Sequence, residues 1–65
     1  LGRFEAALKD LDKAIAIDTG NVDYYRSRGN IRYQMENTEG ACEDWTKAQQ
    51  MGDKRAAFNV KNYCQ

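Results

Sequence analysis

Apolar residues recur every three or four positions through the first quarter of the chain, which is the spacing of one face of an α-helix. The positions in this stripe are Phe4, Ala7, Leu8, Leu11, Ala14 and Ile15. The pattern predicts a helix over about residues 3–17. A polar segment at 18–21 then breaks it, where we expect Gly20 to take a left-handed conformation and Asn21 to cap the next helix.

Residues 22–35 show a second helical pattern with a broader and more aromatic face. The residues at its four-residue steps are Tyr25, Gly29 and Tyr33. A glycine inside a helix lowers stability, so Gly29 predicts a point where a neighbouring helix packs closely. The turn that follows offers Asn37 or Thr38 as the cap of the third helix.

Two further helical patterns follow, at about 39–51 and 54–63, separated by a Gly52 stop and an Asp53 cap. One side of the third helix holds Ala41, Cys42, Trp45, Ala48 and Met51, and Ala57, Val60, Lys61 and Cys64 lie near one stripe of the fourth. Helix-forming residues dominate and Pro is absent. The sequence therefore predicts an all-α fold, an antiparallel helix-turn-helix solenoid fragment of about four helices.

Two similar short motifs occur in the chain, LKDLDKA at residues 8–14 and CEDWTKA at residues 42–48. Matched residues are separated by 34 positions. The pairs are Ala7 and Ala41, Asp10 and Asp44, Leu11 and Trp45, Lys13 and Lys47, and Ala14 and Ala48. A fixed period of this length is the signature of a repeat array, in which each helix pair buries its apolar face by stacking on a neighbour.

Residues 22–53 resemble one tetratricopeptide (TPR) repeat, a 34-residue helix–turn–helix. The packing positions that carry the resemblance are Tyr25, Gly29, Ala41, Trp45 and Ala48, preceded by Gly2, Phe4, Ala7, Leu11 and Ala14. Residues 1–21 resemble the second helix of a preceding repeat. Residues 54–65 resemble the capping helix that ends many such arrays. The resemblance implies that small residues let helices approach and that bulky ones fill the space beside them.

The chain departs from the family pattern at four positions. Arg28 stands where Leu is usual and Arg32 where Tyr is usual. Thr19 and Asp53 replace the Pro that normally closes each repeat. Because the chain opens at Leu1 without a starting Met, we expect it to be a piece of a longer protein. The resemblance of 54–65 to a capping helix implies that this piece is the C-terminal end of the array.

The residue types present argue against catalysis. The chain has no His and no Gly-rich phosphate loop, and Ser27 has no activating neighbour. Two Cys without His are too few for a structural zinc site, so we expect no metal and no cofactor. A paired-carboxylate site is an alternative use of the acidic residues, but solvated helix faces are favoured. We predict a protein that is not an enzyme.

Charge and hydropathy limit the class of partner. The 65 residues carry ten basic and ten acidic side chains, so net charge favours neither nucleic acid nor an anionic membrane. No apolar run approaches the roughly 20 residues that insertion across a bilayer needs. Arg26, Arg28 and Arg32 are spread around the second helix between acidic residues, which favours local ion pairs over RNA binding.

The TPR resemblance implies a binding surface for a protein or peptide. In the family, the first helix of each repeat lines a concave groove, and here that helix is 22–35. Its residues outside the packing stripe are Asp23, Arg26, Asn30, Tyr33 and Gln34. Arg26 and Asn30, four positions apart, are candidates to hold a peptide carboxylate together. The alternative is that both are ordinary solvated residues.

The two cysteines lie at the same height on facing helices if the chain turns back at Gly52–Asp53. A Cys42–Cys64 disulfide is one interpretation, and two buried free thiols are the other. A disulfide would indicate an oxidising location such as a bacterial periplasm or a cell surface, and free thiols a cytoplasmic one.

Two roles are compatible with these features. The first is a protein–protein interaction scaffold, and the second is a structural cap that closes a longer array and binds nothing. A groove beside Arg26 and Tyr33 would indicate the first role, and an even polar coat around 54–63 the second. We also expect self-association through the exposed face of helix 3–17, which includes part of the surface of Phe4, Leu8 and Ile15.

Overall fold

Four α-helices form the part of the chain that the structure describes. The computed structural model describes residues 2–64, so positions 1 and 65 of the predicted domain lie outside the described residues. The helices are α1 (Gly2–Ile17), α2 (Val22–Gln34), α3 (Thr38–Gln50) and α4 (Lys54–Tyr63). Each boundary lies within one residue of the prediction, and the all-α fold is confirmed. In this range no helix is both long enough and apolar enough to cross a membrane.

The helices pack in chain order, with α1 on α2, α2 on α3, and α3 on α4. Only short turns connect them, at 18–21, 35–37 and 51–53. Neighbouring helices joined by such short turns run antiparallel. Residues of α2 and α4 line the same cavities, so these two helices lie on the same side of α3, and this position creates the candidate site.

Side chains cap the N-termini of α2, α3 and α4, where backbone N–H groups have no partner within the helix. Asn21 and Asn37 each accept a nearby backbone N–H at 3.0 Å. Asp53 does the same at 2.9 Å. The structure thus selects Asn37 over Thr38 as the cap of α3, because the asparagine side chain reaches back to the first turn.

The turn conformations differ from the prediction at Gly20. The sequence predicts a left-handed Gly20, but among the described residues only Glu36 (φ 65°) and Gly52 (φ 99°) have a positive φ. After α2 and α3, a backbone N–H bonds to the carbonyl five residues earlier, at 2.8 and 3.0 Å, and this closure needs one left-handed residue. The 18–21 turn closes over three residues instead, so it needs none.

A small core lies between α2, α3 and α4. Its fully buried apolar residues are Ala41, Trp45, Ala48 and Ala56. The predicted stripe of α4 is wrong in two positions, because Ala56 is the buried alanine and Lys61 is exposed. Two adjacent alanines are equivalent in a periodicity pattern. The packing of α4 against Trp45 and Cys42 decides which one faces the core.

α1 packs mainly on α2 and contributes no fully buried residue. Its apolar stripe is half-buried throughout, at Phe4, Ala7, Leu8, Leu11, Ala14 and Ile15. A stripe in this state leaves apolar surface available on the side away from α2. Self-association through α1 stays a prediction.

Replacing Gly29 with alanine is expected to lower the free energy of unfolding by about 1 kcal/mol. A Cβ at this position would lie 2.7 Å from the indole of Trp45 and 3.2 Å from the carbonyl oxygen of Ala41. Overpacking of this kind costs about 1–3 kcal/mol, which outweighs the gain of about 1 kcal/mol from helix propensity. Chemical denaturation followed by circular dichroism measures the change.

Gly20→Ala is the matched control. A Cβ there meets nothing within 4 Å, and the residue does not need a positive φ. We expect unchanged or slightly increased stability, because alanine reduces the freedom of the unfolded chain. A Gly29→Ala protein as stable as the Gly20→Ala protein would show that the close approach of α3 is not tight.

Candidate functional site

A groove runs between α2 and α4, with α3 beneath it. Two adjoining cavities lie along it, of about 660 and 210 Å³. The larger one, near the start of both helices, is lined by Arg26, Asn30, Lys54, Arg55, Phe58 and Asn59. The smaller one, near their ends, is lined by Asn30, Tyr33, Gln34, Trp45, Asn59 and Tyr63. Asn30 and Asn59 border both cavities, which makes the groove continuous.

Aromatic rings form one end of the groove. Trp45 is 2% exposed and lies at the floor, and its indole N–H donates to the side-chain oxygen of Asn30 at 3.1 Å. The rings of Tyr33 and Tyr63 lie above it, with centroids 5.5 and 6.0 Å from the indole and 5.2 Å from each other. The tilted contacts and the hydrogen bond hold this end in one arrangement while both tyrosines remain accessible.

Arg26 lies at the other end, and two carboxylates of the chain already hold it. Its guanidinium donates to the Asp53 carboxylate and pairs with Asp23 at 2.9 Å. Burial acts to raise the pKa of Asp53, but hydrogen bonds from Arg26 and from the backbone N–H of Arg55 outweigh it and place the pKa below its ordinary value. The hydrogen bond to Asp53 raises the pKa of Arg26. Both groups stay charged near neutral pH, and their charges largely cancel.

Arg28 and Arg32 meet on a buried carboxylate away from the groove. Asp44 is 3% exposed and accepts two hydrogen bonds from Arg28, at 2.8 and 3.0 Å, and one from Arg32 at 3.0 Å. Arg28 also donates to Asp12 of α1 at 2.8 Å. The hydrogen bond to Asp44 raises the pKa of Arg28. Two of the four departures from the family pattern, Arg28 and Arg32, therefore form an ion-pair network that joins α1, α2 and α3.

This network corrects the expectation that acidic residues lie on solvated faces. Asp44 is buried, and it is satisfied because two arginines supply a charge-assisted hydrogen-bonding shell. Among the salt bridges of residues 2–64, only the Arg26–Asp23 pair is local, as the sequence predicts for the arginines of α2. Their other carboxylate partners come from α1, from α3 and from the turn before α4.

A disulfide joins Cys42 of α3 to Cys64, directly after α4, with their Cα atoms 5.8 Å apart. Periodicity and register left the bridge and a pair of free thiols as alternatives, and the structure contains the bridge. It fixes the end of α4 that carries Tyr63. The aromatic end of the groove is therefore tied to α3 covalently as well as by packing.

Four of the five predicted binding residues line the groove, namely Arg26, Asn30, Tyr33 and Gln34. Asp23 lines neither cavity and contributes only through its pair with Arg26. The sequence analysis missed the opposite wall, which consists of Lys54, Arg55, Phe58, Asn59 and Tyr63. A signal for it was present, since residues 54, 55, 58 and 59 share one helical face, away from the apolar stripe.

Other parts of the described surface are weaker candidates. A depression of about 560 Å³ lies on the outer face of α3, but α3 alone lines it, so it has no second wall. Residues 2–64 contain no group of three or more His, Cys, Asp or Glu side chains able to hold a metal ion. The groove between α2 and α4 is therefore the candidate functional site.

Comparison with known proteins adds independent evidence. A family model described as "TPR repeat" matches residues 1–36, which is more than half of the 65-residue chain. The matched segment includes all of α1 and α2, and with them the α2 wall of the groove. No curated protein and no solved structure matches the chain.

Proposed function

Because the chain belongs to the tetratricopeptide (TPR) repeat family, we propose that it is a non-catalytic interaction module that binds an extended peptide segment of a partner protein between α2 and α4. TPR repeats generally serve as protein–protein interaction scaffolds, and solenoids of this kind use concave surfaces for binding. The proposed role needs no cofactor and no metal. The partner is a protein or peptide.

The observation that carries this proposal is the character of the α4 wall. A helix that only closes an array would present an even polar coat to solvent. α4 instead presents Phe58, which is 61% exposed, beside the groove. Exposed apolar surface in a concave, polar-rimmed site is typical of binding sites. This feature supports the interaction module over the purely structural cap, which is the second role compatible with the sequence.

Asn30 is the groove residue best placed to hold a peptide backbone. Its side-chain oxygen accepts from Trp45, which fixes the amide and leaves its NH₂ group as a donor toward the groove. Asn59 borders the same cavities from α4, and its side-chain amide makes no hydrogen bond to the described residues. We infer that these two amides bond to the main chain of an extended ligand.

The sequence analysis names Arg26 and Asn30 as candidates to bind a peptide carboxylate together, and the salt bridges of Arg26 change how this binding would occur. Arg26 already binds Asp53 and Asp23, so an incoming carboxylate must share the guanidinium with them. Nucleic acid is not proposed as a partner, because carboxylates compensate the arginines of α2. We also propose the division of the chain that the sequence predicts. Residues 1–21 are the second helix of a preceding TPR repeat, residues 22–53 are one full repeat, and residues 54–65 are the capping helix.

The disulfide supports an oxidising location for the module. Disulfides between structural elements persist in compartments such as a periplasm or the cell exterior and are rare in a reducing cytosol. The Cys42–Cys64 bridge holds one wall of the proposed site. We therefore propose that the module works where this bridge stays oxidised.

Selection of linear peptides from a random phage-displayed library tests the proposed function. Peptides that bind the wild-type chain are expected to lose about tenfold in affinity with the Phe58→Ser protein, measured by isothermal titration calorimetry. Loss of an exposed phenyl from the groove wall removes apolar contact without opening a cavity in the core. Binding should also shift the NMR signal of the Trp45 indole N–H, because that group lies at the groove floor.

Ile17→Ser is the matched control, since Ile17 is 87% exposed and lies at the end of α1, away from the groove. We expect it to leave peptide affinity unchanged. Failure to select any binding peptide, or equal losses for the two variants, would contradict the groove as a binding site and favour the structural cap.

A further inference from the structure

The cations of the chain differ sharply in how they are paired. Arg26, Arg28 and Arg32 of α2 each bind a carboxylate that another part of the fold supplies. Lys54 and Arg55 of α4 form no salt bridge within residues 2–64, and both are exposed beside the 660 Å³ cavity. The unpaired positive charge in the groove therefore comes from α4 and not from Arg26.

Stability does not explain the placement of these two cations. They occupy the first turn of α4, where the helix dipole disfavours positive side chains, and this turn holds no acidic residue. The carboxylate of the cap residue Asp53 is already engaged by Arg26. A local rule broken without compensation inside the fold is typical of a functional position.

An apolar side chain follows the two cations along the same wall. Phe58 lies one helical turn further on, about 5 Å along the axis from Lys54 and Arg55. Tyr33 and Tyr63 form the aromatic end beyond it. The groove is thus cationic where α4 begins and aromatic where α4 ends, with Asn30 between the two regions.

We propose that the α2–α4 groove recognises an acidic–apolar peptide, in which one or two side-chain carboxylates face Lys54 and Arg55 and an apolar side chain within four residues contacts Phe58 or the tyrosines. The proposal rests on the proposed function and specifies its partner. Charge complementarity selects the acidic residues, because two unpaired cations share a concave site. α4 has ten residues and is about 15 Å long, which an extended segment of about four or five residues matches.

An array of acetylated and amidated hexapeptides tests this proposal. In each peptide, two adjacent positions carry Glu, Gln or Lys, and a later position carries Phe or Ala. Because both peptide ends are blocked, recognition of a terminal carboxylate is excluded. We expect the peptides with Glu and Phe to bind about fivefold more tightly than their Gln counterparts by fluorescence polarisation at low salt, and the difference to shrink as salt rises. The Lys peptides should bind most weakly.

Two charge-matched double variants assign the effect to the groove. Lys54→Gln with Arg55→Gln should abolish the preference for Glu over Gln, and Lys9→Gln with Lys13→Gln on α1 should retain it. All four side chains are exposed, so each variant is expected to fold, which thermal unfolding checks. Retained preference in the α4 variant, or lost preference in the α1 variant, would overturn the proposal.

The outcomes separate this proposal from the proposed function. Equal affinity for Glu and Gln peptides, with binding still weakened by Phe58→Ser, would reject acidic recognition and leave the groove as a peptide site. Peptide binding that is insensitive to Phe58→Ser would reject both. Concentration-dependent dimerisation that Phe58→Ser abolishes would show that a second copy of the chain occupies the groove. This result would also overturn the proposal that the groove recognises an acidic–apolar peptide.

Discussion

Replacing Cys42 and Cys64 with alanine is expected to lower the free energy of unfolding by about 3 kcal/mol. The bridge closes a loop across a sequence separation of 22 residues, and a cross-link of this span restricts the unfolded chain by about that amount. The effect is large for this protein because the fully buried apolar core of its described residues consists of one tryptophan and three alanines. Small domains of this length have little stability to lose.

The loss should begin at α4. Packing on α3 is the main contact of this helix, and within residues 2–64 the disulfide is its only covalent tie apart from the 51–53 turn. Hydrogen exchange followed by NMR should show faster exchange for α4 amides than for α2 and α3 amides once the bridge is gone. Peptide binding by the proposed groove should weaken in parallel, because α4 forms one wall.

Reduction of the wild-type protein provides the control. Adding a strong reductant should reproduce the alanine variant in denaturation and exchange, and mass spectrometry should show the gain of two hydrogens. The same reductant should leave the alanine variant unchanged. Wild-type protein that keeps its denaturation midpoint after complete reduction would show that the disulfide does not stabilise the fold.

Trp45→Ala is expected to cost about 3–5 kcal/mol, which is typical when a large buried aromatic side chain is removed. The indole contacts the backbone at Gly29, bonds to Asn30, and supports the rings of Tyr33 and Tyr63. Truncation leaves a cavity at the point where α2, α3 and α4 meet. Denaturation followed by far-UV circular dichroism measures the loss, since the variant has no tryptophan fluorescence.

Trp45→Phe separates packing from hydrogen bonding at the same position. Phenylalanine keeps most of the aromatic contact and removes the indole N–H, so we expect a smaller loss of about 1–2 kcal/mol. The Asn30 amide then loses its fixed orientation. We therefore expect the free energy of peptide binding to fall by more than the free energy of unfolding. If the alanine and phenylalanine variants were equally stable, the indole would not be the packing centre of the fold.

The helices themselves were largely predictable because their determinants are local. The stripe at Leu11 and Ala14, the cap at Asn21 and the stop at Gly52 each depend on neighbours within one or two turns. The predicted left-handed conformation of Gly20 was wrong because it too was inferred from local sequence alone. Glycine permits a left-handed conformation without requiring it, and Glu36 adopts one although its side chain disfavours it.

The candidate site was predictable on one wall only. Asn30 and Tyr33 follow from the polar face of α2, but the sequence analysis assigned α4 the role of a cap, so its face at Phe58 was not considered. The buried state of Asp44 was also missed. Its arginine partners lie 12 and 16 positions away, and no periodicity within a helix reports such a pairing.

The sequence by itself determined the number of helices, their ends and the repeat family, because helix periodicity, capping and a fixed repeat length are written in neighbouring residues. The tertiary structure alone decided which of Ala56 and Ala57 is buried, that the Asp53 carboxylate engages Arg26, and that α4 faces α2 across a groove. These outcomes depend on the rotation and register of each helix against its neighbour. That geometry is set by contacts between residues distant in the chain, chiefly around Trp45 and the Cys42–Cys64 bridge.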